Sequence, residues 1–245
     1  MKNGQWGFHT SQDPSPWWQV DLGTVGNTDA ANRSEILVPL LKAWGTDIGV
    51  EVAGIGVQVH GGMGFVEETG AAQHWRDARI APIYEGTNGV QAMDLCGRKL
   101  ASKGGRAIQA FFKMIDEEIA EAKGNEALAD IATKLEKALG EQKAATMWFM
   151  QNAMANPNHL GAGAHHYMHI MGIVTLGFFW LKQAKTASAA LAGNPEDKAF
   201  YEAKMTSAAY YTERFLPDAG ALRRKLEAGS ENMMALPEEA FSTAA

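Results

Sequence analysis

Between Asp29 and about Val59, apolar residues recur every three or four positions, at Ile36, Leu37, Leu40, Leu41, Trp44, Ile48, Val52 and Ile55. That spacing follows one face of a helix. Pro39 within it predicts a kink or a first turn, because proline has no amide hydrogen to continue the ladder. The turn "HGGMG", His60 to Gly64, ends this helix. A second helix is expected in "EETGAAQHWRDARI", with Glu67 and Glu68 favourably placed near its positive N-terminal end. "APIYEG" breaks the period, and a third helix is predicted from Thr87 to about Leu100.

The rest of the chain reads as helix, punctuated at Gly104-Gly105, Gly124-Asn125, Asn156-Pro157 and Gly193-Asn194-Pro195. Four segments follow, roughly 105–123, 126–155, 158–192 and 195–228, and their short connections make consecutive helices antiparallel neighbours. In the first, Ile108, Phe111, Phe112, Ile115 and Ile119 share a face turned away from Gln109, Lys113 and Glu117. The expected fold class is all-α. An irregular N-terminal arm covers 1–27, a helical domain 28–103, an up-and-down helical bundle that should fold by itself 104–230, and a tail 231–245. Within the arm, "SPWWQVDLG" alternates like a strand and is similar to a stretch of discoidin-type β-sandwiches. No sandwich follows those nine residues, so chance or a gene-fusion scar accounts for them.

Composition narrows the function classes. A net charge of -6, a pI near 5.7 and the lack of any run of five or six like charges give no footprint for nucleic acid or an anionic membrane. One cysteine, Cys96, leaves no internal disulfide, and "MKNGQWGFHTSQDP" has no apolar core for a secretory signal, so a cytoplasmic location is expected. The most apolar stretch, Ile170 to Leu181, is about half of what a bilayer requires and reads as a buried helix.

Three features are candidates for chemistry. His165 and His169, in a group with His159 and His166, stand one helical turn apart and have the spacing to share a metal. No carboxylate or cysteine joins them at ligand spacing, so they are read as a packed or solvated helix face, and no metal is expected. Arg223, Arg224 and Lys225 read as a solvated helix end. The third feature is the segment from Gln58 to Gln91, "QVHGGMGFVEETGAAQHWRDARIAPIYEGTNGVQ".

A carboxylate that takes a proton from the carbon α to a thioester must be fixed, partly desolvated and free of a cationic partner, since burial raises a carboxylate's pKa toward neutrality. Glu85, beside Tyr84 and Ile83, suits that task. Gly86 has no side chain, so backbone amides can approach the thioester oxygen and stabilise developing enolate charge. The competing reading makes Glu85 a cap for the helix that begins at Thr87. Arg76 and Arg79 read as structural ion partners of Glu67, Glu68 or Asp77.

The glycine turn, then R-D-A-R, then Y-E-G-T, at these spacings, resembles the C-terminal helical domain of the flavin-dependent acyl-CoA dehydrogenases, from about Asn32 to Leu100. The helices beyond are similar, in pattern and position, to the extra C-terminal domain of the 3-methylmercaptopropionyl-CoA dehydrogenase-like subgroup. The resemblance implies FAD as cofactor, an acyl-CoA thioester as substrate, and Glu85 as the base that works while a hydride passes from the β carbon to flavin. It also implies flavin contacts at Gln58, Gly61, Gly62, Thr87 and Gly89, with Gly89 contributing backbone where the family has a glutamine, and substrate contacts at Tyr84 and Gly86. The family's helical and β-rich N-terminal domains have no counterpart in the sequence. The resemblance therefore implies a portion of such an enzyme that forms a homo-oligomer or associates with the absent domains. The alternative is a non-catalytic helical module that self-associates or binds a partner chain.

Overall fold

The structure, a computed structural model, describes residues 28–153 and 155–241, and the tryptophan-rich arm and its strand-like stretch lie outside the described residues. Helix α1, Thr28–Val59, runs through Pro39 without ending. After the turn at His60 come α2, Gly62–Phe65, and α3, Ala71–Ala78. Glu67 and Glu68 lie not on α3, as expected, but in a separate 3-10 turn, Glu67–Thr69, closed by Gly70 at φ 75. That left-handed step is open to glycine without steric cost.

Helix α4, Asn88–Asp94, starts at a Thr87 cap whose hydroxyl accepts the amide of Val90 at 3.4 Å. It passes into a π turn, Leu95–Lys99, so the third expected helix keeps its span and changes its winding. Lys103 (φ 53), Gly104 (φ 71) and Gly105 (φ 75) then turn the chain into α5.

The remaining helices are α5, Arg106–Lys123; α6, Ala129–Asn152; α7, Pro157–Ala192; α8, Lys198–Arg214; and α9, Asp218–Glu227. The expected single segment 195–228 is thus two helices. Phe215 to Pro217 break it, because proline at 217 offers no amide to continue α8. On α5 the five apolar positions are buried, and Gln109, Lys113 and Glu117 face water. The Ile170 to Leu181 stretch forms the middle of α7, and no described helix is long and apolar enough to cross a membrane.

α7 is the hub, packed against α6, α8, α9, α4 and α1. One continuous apolar cluster runs from Ile36 through Phe111 and Tyr167 to Leu226, so the core crosses the junction near residue 104. At that junction Lys103 Nζ donates to Asn32 Oδ1 at 2.9 Å and pairs with Glu35 at 3.6 Å, tying the turn to the start of α1.

The first half of α1 is buried on one side by Ile36, Leu37, Leu40 and Ala43. Its other side carries Val38, Leu41, Val52, Ile55 and Val59, each more than half exposed. Leu41, Val52 and Ile55, part of the apolar spacing along α1, thus line a stripe facing solvent.

Candidate active site

Residues 79–87 form the irregular link between α3 and α4. Backbone bonds from Ile83 and Tyr84 to the Ile80 carbonyl, at 3.0 and 3.1 Å, and from Asn88 to the Pro82 carbonyl, at 3.1 Å, wind it tightly. At its tip Glu85 stands at φ 54 and Gly86 at φ 86. A glutamate in the left-handed region is uncommon, because its Cβ crowds the backbone, and it persists only where the surroundings hold it.

The holding groups come from α1 and α4. Lys42 Nζ donates to the Gly86 carbonyl at 2.6 Å and to Asn88 Oδ1 at 2.9 Å. Asn88 is buried, and its amide nitrogen lies 2.8 Å from the Ala43 carbonyl, 2.8 Å from Thr46 Oγ1 and 2.7 Å from Asp47 Oδ1. Gln91 Nε2 reaches the Glu85 carbonyl at 3.5 Å. The backbone of Glu85 is therefore fixed on both sides.

Its carboxylate is exposed, and no donor among the described residues reaches it. Among the described residues the expected partial desolvation is thus not provided, whereas freedom from a cationic partner is. Thr87 caps α4, so the capping role weighed for Glu85 is already filled.

Tyr84, Gly86, Thr87 and Gly89 lie with Glu85 on this exposed segment. Gln58, Gly61 and Gly62 do not. Gln58 sits sixteen residues along α1 from Lys42, about 24 Å at helical rise. Gly61 stands at φ 58, and nothing among the described residues lies within 4 Å of where a Cβ would project from Gly61 or Gly62, so that turn is open to close approach. The candidate residues form two separate exposed groups.

Lys42, Thr46, Asp47 and Asn88 were not singled out by the sequence pattern. Asn88 carried a signal, since it shares the buried face of α4 with Ala92 and Leu95, where a polar residue requires partners. The others, on α1, gave none.

The other candidates divide. Arg76 pairs with Glu67 at 2.7 Å, as expected, while Arg79 has no ion partner among the described residues. Arg223 is not a solvated helix end: it joins Glu141 of α6 and, at 2.9 Å, Glu227. His159 accepts the Ser230 amide at 3.2 Å and so fastens the chain after α9 to α7. His165 and His169 lie on the α7 face that meets α1, and Asp47 supplies the carboxylate that local spacing lacked, 3.6 Å from His169 Nε2. Burial holds the pKa of His169 below the usual imidazole value, aided by His165 and opposed by Asp47, and burial lowers that of His166 too. Cys96 is a buried free thiol whose pKa burial pushes up.

Two family profiles divide the chain. "Acyl-CoA dehydrogenase, C-terminal domain" matches residues 22–100, and "Acetyl-CoA dehydrogenase C-terminal like" matches residues 111–237, more than half of the sequence. The chain belongs to the acyl-CoA dehydrogenase family. It aligns with the C-terminal part of that family's members. It is 38% identical over 220 residues to 3-methylmercaptopropionyl-CoA dehydrogenase of Ruegeria pomeroyi, an alignment covering 88% of this chain and 37% of that one. It is 29% identical over 220 residues to a broad-specificity linear acyl-CoA dehydrogenase of Mycobacterium tuberculosis, covering 86% and 36%. Its fold is similar to that of Caenorhabditis elegans ACDH-11, solved in complex with C11-CoA, with a TM-score of 0.69 and 21% identity over 89% of this chain and 34% of that one. The chain thus spans little more than a third of the length of these relatives.

Proposed function

We propose that this chain is the C-terminal portion of an FAD-dependent acyl-CoA dehydrogenase, in which Glu85 is the base that takes the α-proton of an acyl-CoA thioester. The observation that carries this reading is the backbone of Glu85: left-handed at φ 54, clamped through Gly86 by Lys42, with a carboxylate that no cation among the described residues pairs. Local strain retained at a fixed, unpaired acid is costly for a mere surface residue and useful for a positioned base. FAD, when bound, supplies the hydride acceptor. Tyr84 and Gly86 border the base and meet the thioester, Gly86 leaving room for backbone amides near its oxygen.

The residues proposed to hold the cofactor fit a phosphate-bearing ligand at the glycine turn, where the open space over Gly61 and Gly62 admits it. Thr87 and Gly89 belong to the other group. A flavin dinucleotide that meets both must be extended, or each group serves a different copy of the cofactor. The covering surfaces come from other polypeptide, either the portion of the family's length that this chain does not span or another copy of the chain.

The test combines the chain, fused or in trans, with the remaining portion of a relative. Flavin absorbance should co-elute with the assembly, and an acyl-CoA should drive dye reduction that Glu85→Gln abolishes. Equal turnover by Glu85→Gln would refute the role of the base.

A second reading, a non-catalytic module that self-associates, is favoured by the α1 stripe of Val38, Leu41, Val52, Ile55 and Val59. Its spacing suits a facing helix. Sedimentation separates the readings: self-association of the chain alone, lost in Ile55→Glu and unaccompanied by flavin binding in the assembly, would favour the module.

A further inference from the structure

The histidines of α7 and the middle of α1 meet at a place that the proposed dehydrogenase chemistry does not use. His165 and His169 are one turn apart with ring centroids 4.3 Å from each other, and Asp47 projects from α1 toward them. One nitrogen of each imidazole and one carboxylate oxygen lie within 4.8 Å of one another. We propose that Asp47, His165 and His169 bind a divalent transition-metal ion of the zinc class, joining α1 to α7.

Three features of the geometry support this. The His169 Nε2 to Asp47 Oδ2 distance of 3.6 Å is too long for a good hydrogen bond and close to the edge of a coordination tetrahedron, about 3.4 Å for ligands at ordinary zinc distances. His169 Nε2 is buried and has no hydrogen-bond partner among the described residues, an unsatisfied state that buried nitrogens rarely keep without a ligand. The other oxygen of Asp47 is already held, since Asn88 donates to Oδ1 at 2.7 Å and leaves Oδ2 turned to the imidazoles. Outer hydrogen bonds of that kind orient a ligating carboxylate.

The ligand chemistry selects the metal class. Two imidazole nitrogens with one carboxylate suit zinc, cobalt, nickel or copper, whereas calcium and magnesium demand oxygen ligands throughout. Three protein ligands leave a coordination position, and His165 is exposed, so water completes the shell from that side. The ligand atoms lie within 4.8 Å of one another, and His165 is the exposed member of the three.

The experiment uses the untagged, metal-free full chain. Equilibrium dialysis and calorimetry with Zn2+ should find one equivalent bound, and Co2+ should give ligand-field absorption in the visible. His165→Ala, on an exposed side chain, and His169→Gln should each weaken binding by at least about tenfold and remove the cobalt bands, while His74→Ala on α3 changes neither. Asn88→Ala should weaken binding by about 10–100-fold through loss of Asp47 orientation. Absence of a stoichiometric equivalent overturns the proposal. So does zinc affinity that persists in both His165→Ala and His169→Gln, which would place the metal elsewhere on the chain.

Discussion

The indole of Trp44 on α1 closes directly over the backbone of Gly172 on α7: a methyl group on that glycine would stand 2.2 Å from ring carbon Cδ2. The two helices reach this distance only because position 172 has no side chain. Gly172→Ala should therefore destabilise the chain by about 1–3 kcal/mol in urea unfolding, the usual cost of overpacking. Trp44→Ala in the same background should recover part of that loss, giving a non-additive double-mutant cycle. Additive effects would mean that the contact does not limit the approach of α1 to α7. The same contact bears on the proposed independence of 104–230, because those helices expressed alone lose Trp44, Ile36 and Leu40 from one continuous core. They should still unfold cooperatively, at a lower midpoint than the full chain.

At Glu85 the expected outcomes for stability and activity point in opposite directions. Glu85→Gly relieves a left-handed conformation at φ 54 and should leave the chain as stable or stabilise it, by up to about 1 kcal/mol. In an assembly with the absent portion, Glu85→Gln should lower turnover by about 10²-fold to 10⁴-fold with little change in melting temperature. Thr87→Ala, which removes the actual cap of α4, should instead cost about 1 kcal/mol. A Glu85→Gln variant that loses stability and keeps turnover would make this residue architectural.

Asn88 is the buried peg that fixes the loop, joining Lys42, Ala43, Thr46 and Asp47. Asn88→Ala strands several of those groups and should cost about 1–3 kcal/mol. The specific sign is local. Amide hydrogen exchange should quicken across residues 80–87 more than in α5 or α6. Uniform acceleration throughout the chain would show only global loss of stability.

Asp94 gives the expected pH dependence. Arg98 donates to it at 2.6 and 3.0 Å and, with Lys99 at 3.4 Å, outweighs the opposing effect of burial, holding its carboxyl below the ordinary value. A carboxyl with a lowered pKa in the folded state contributes stability above its unfolded pKa, about 3.9, and loses it as pH falls through the folded value. Wild type should exceed Asp94→Asn by up to about 1 kcal/mol at pH 6, and the difference should vanish in strong acid. A difference independent of pH would assign the effect to packing.

The sequence by itself determined the helices, because each rests on near-neighbour information: apolar spacing of three and four, glycine and proline stops, and a threonine before α4. It also marked Glu85 and the glycine turn, whose residue types and order lie in one short stretch. The break at Phe215 to Pro217 and the 3-10 turn at Glu67 were as local, and differed from the expected helices because one proline and one left-handed glycine outweighed an apolar rhythm. Tertiary structure alone decided what meets across the chain. Lys42 on the Gly86 carbonyl, Asp47 beside His165 and His169, and Trp44 over Gly172 each join α1 to residues more than forty positions away. Such pairings depend on how helices rotate and cross, and a periodic pattern fixes which face is apolar without fixing what faces it. For the same reason the spacing of Leu41, Val52 and Ile55 marks an apolar face without saying what lies over it, and in the fold that face meets solvent: apolar spacing records a surface to be covered, and only the arrangement of neighbours supplies the cover.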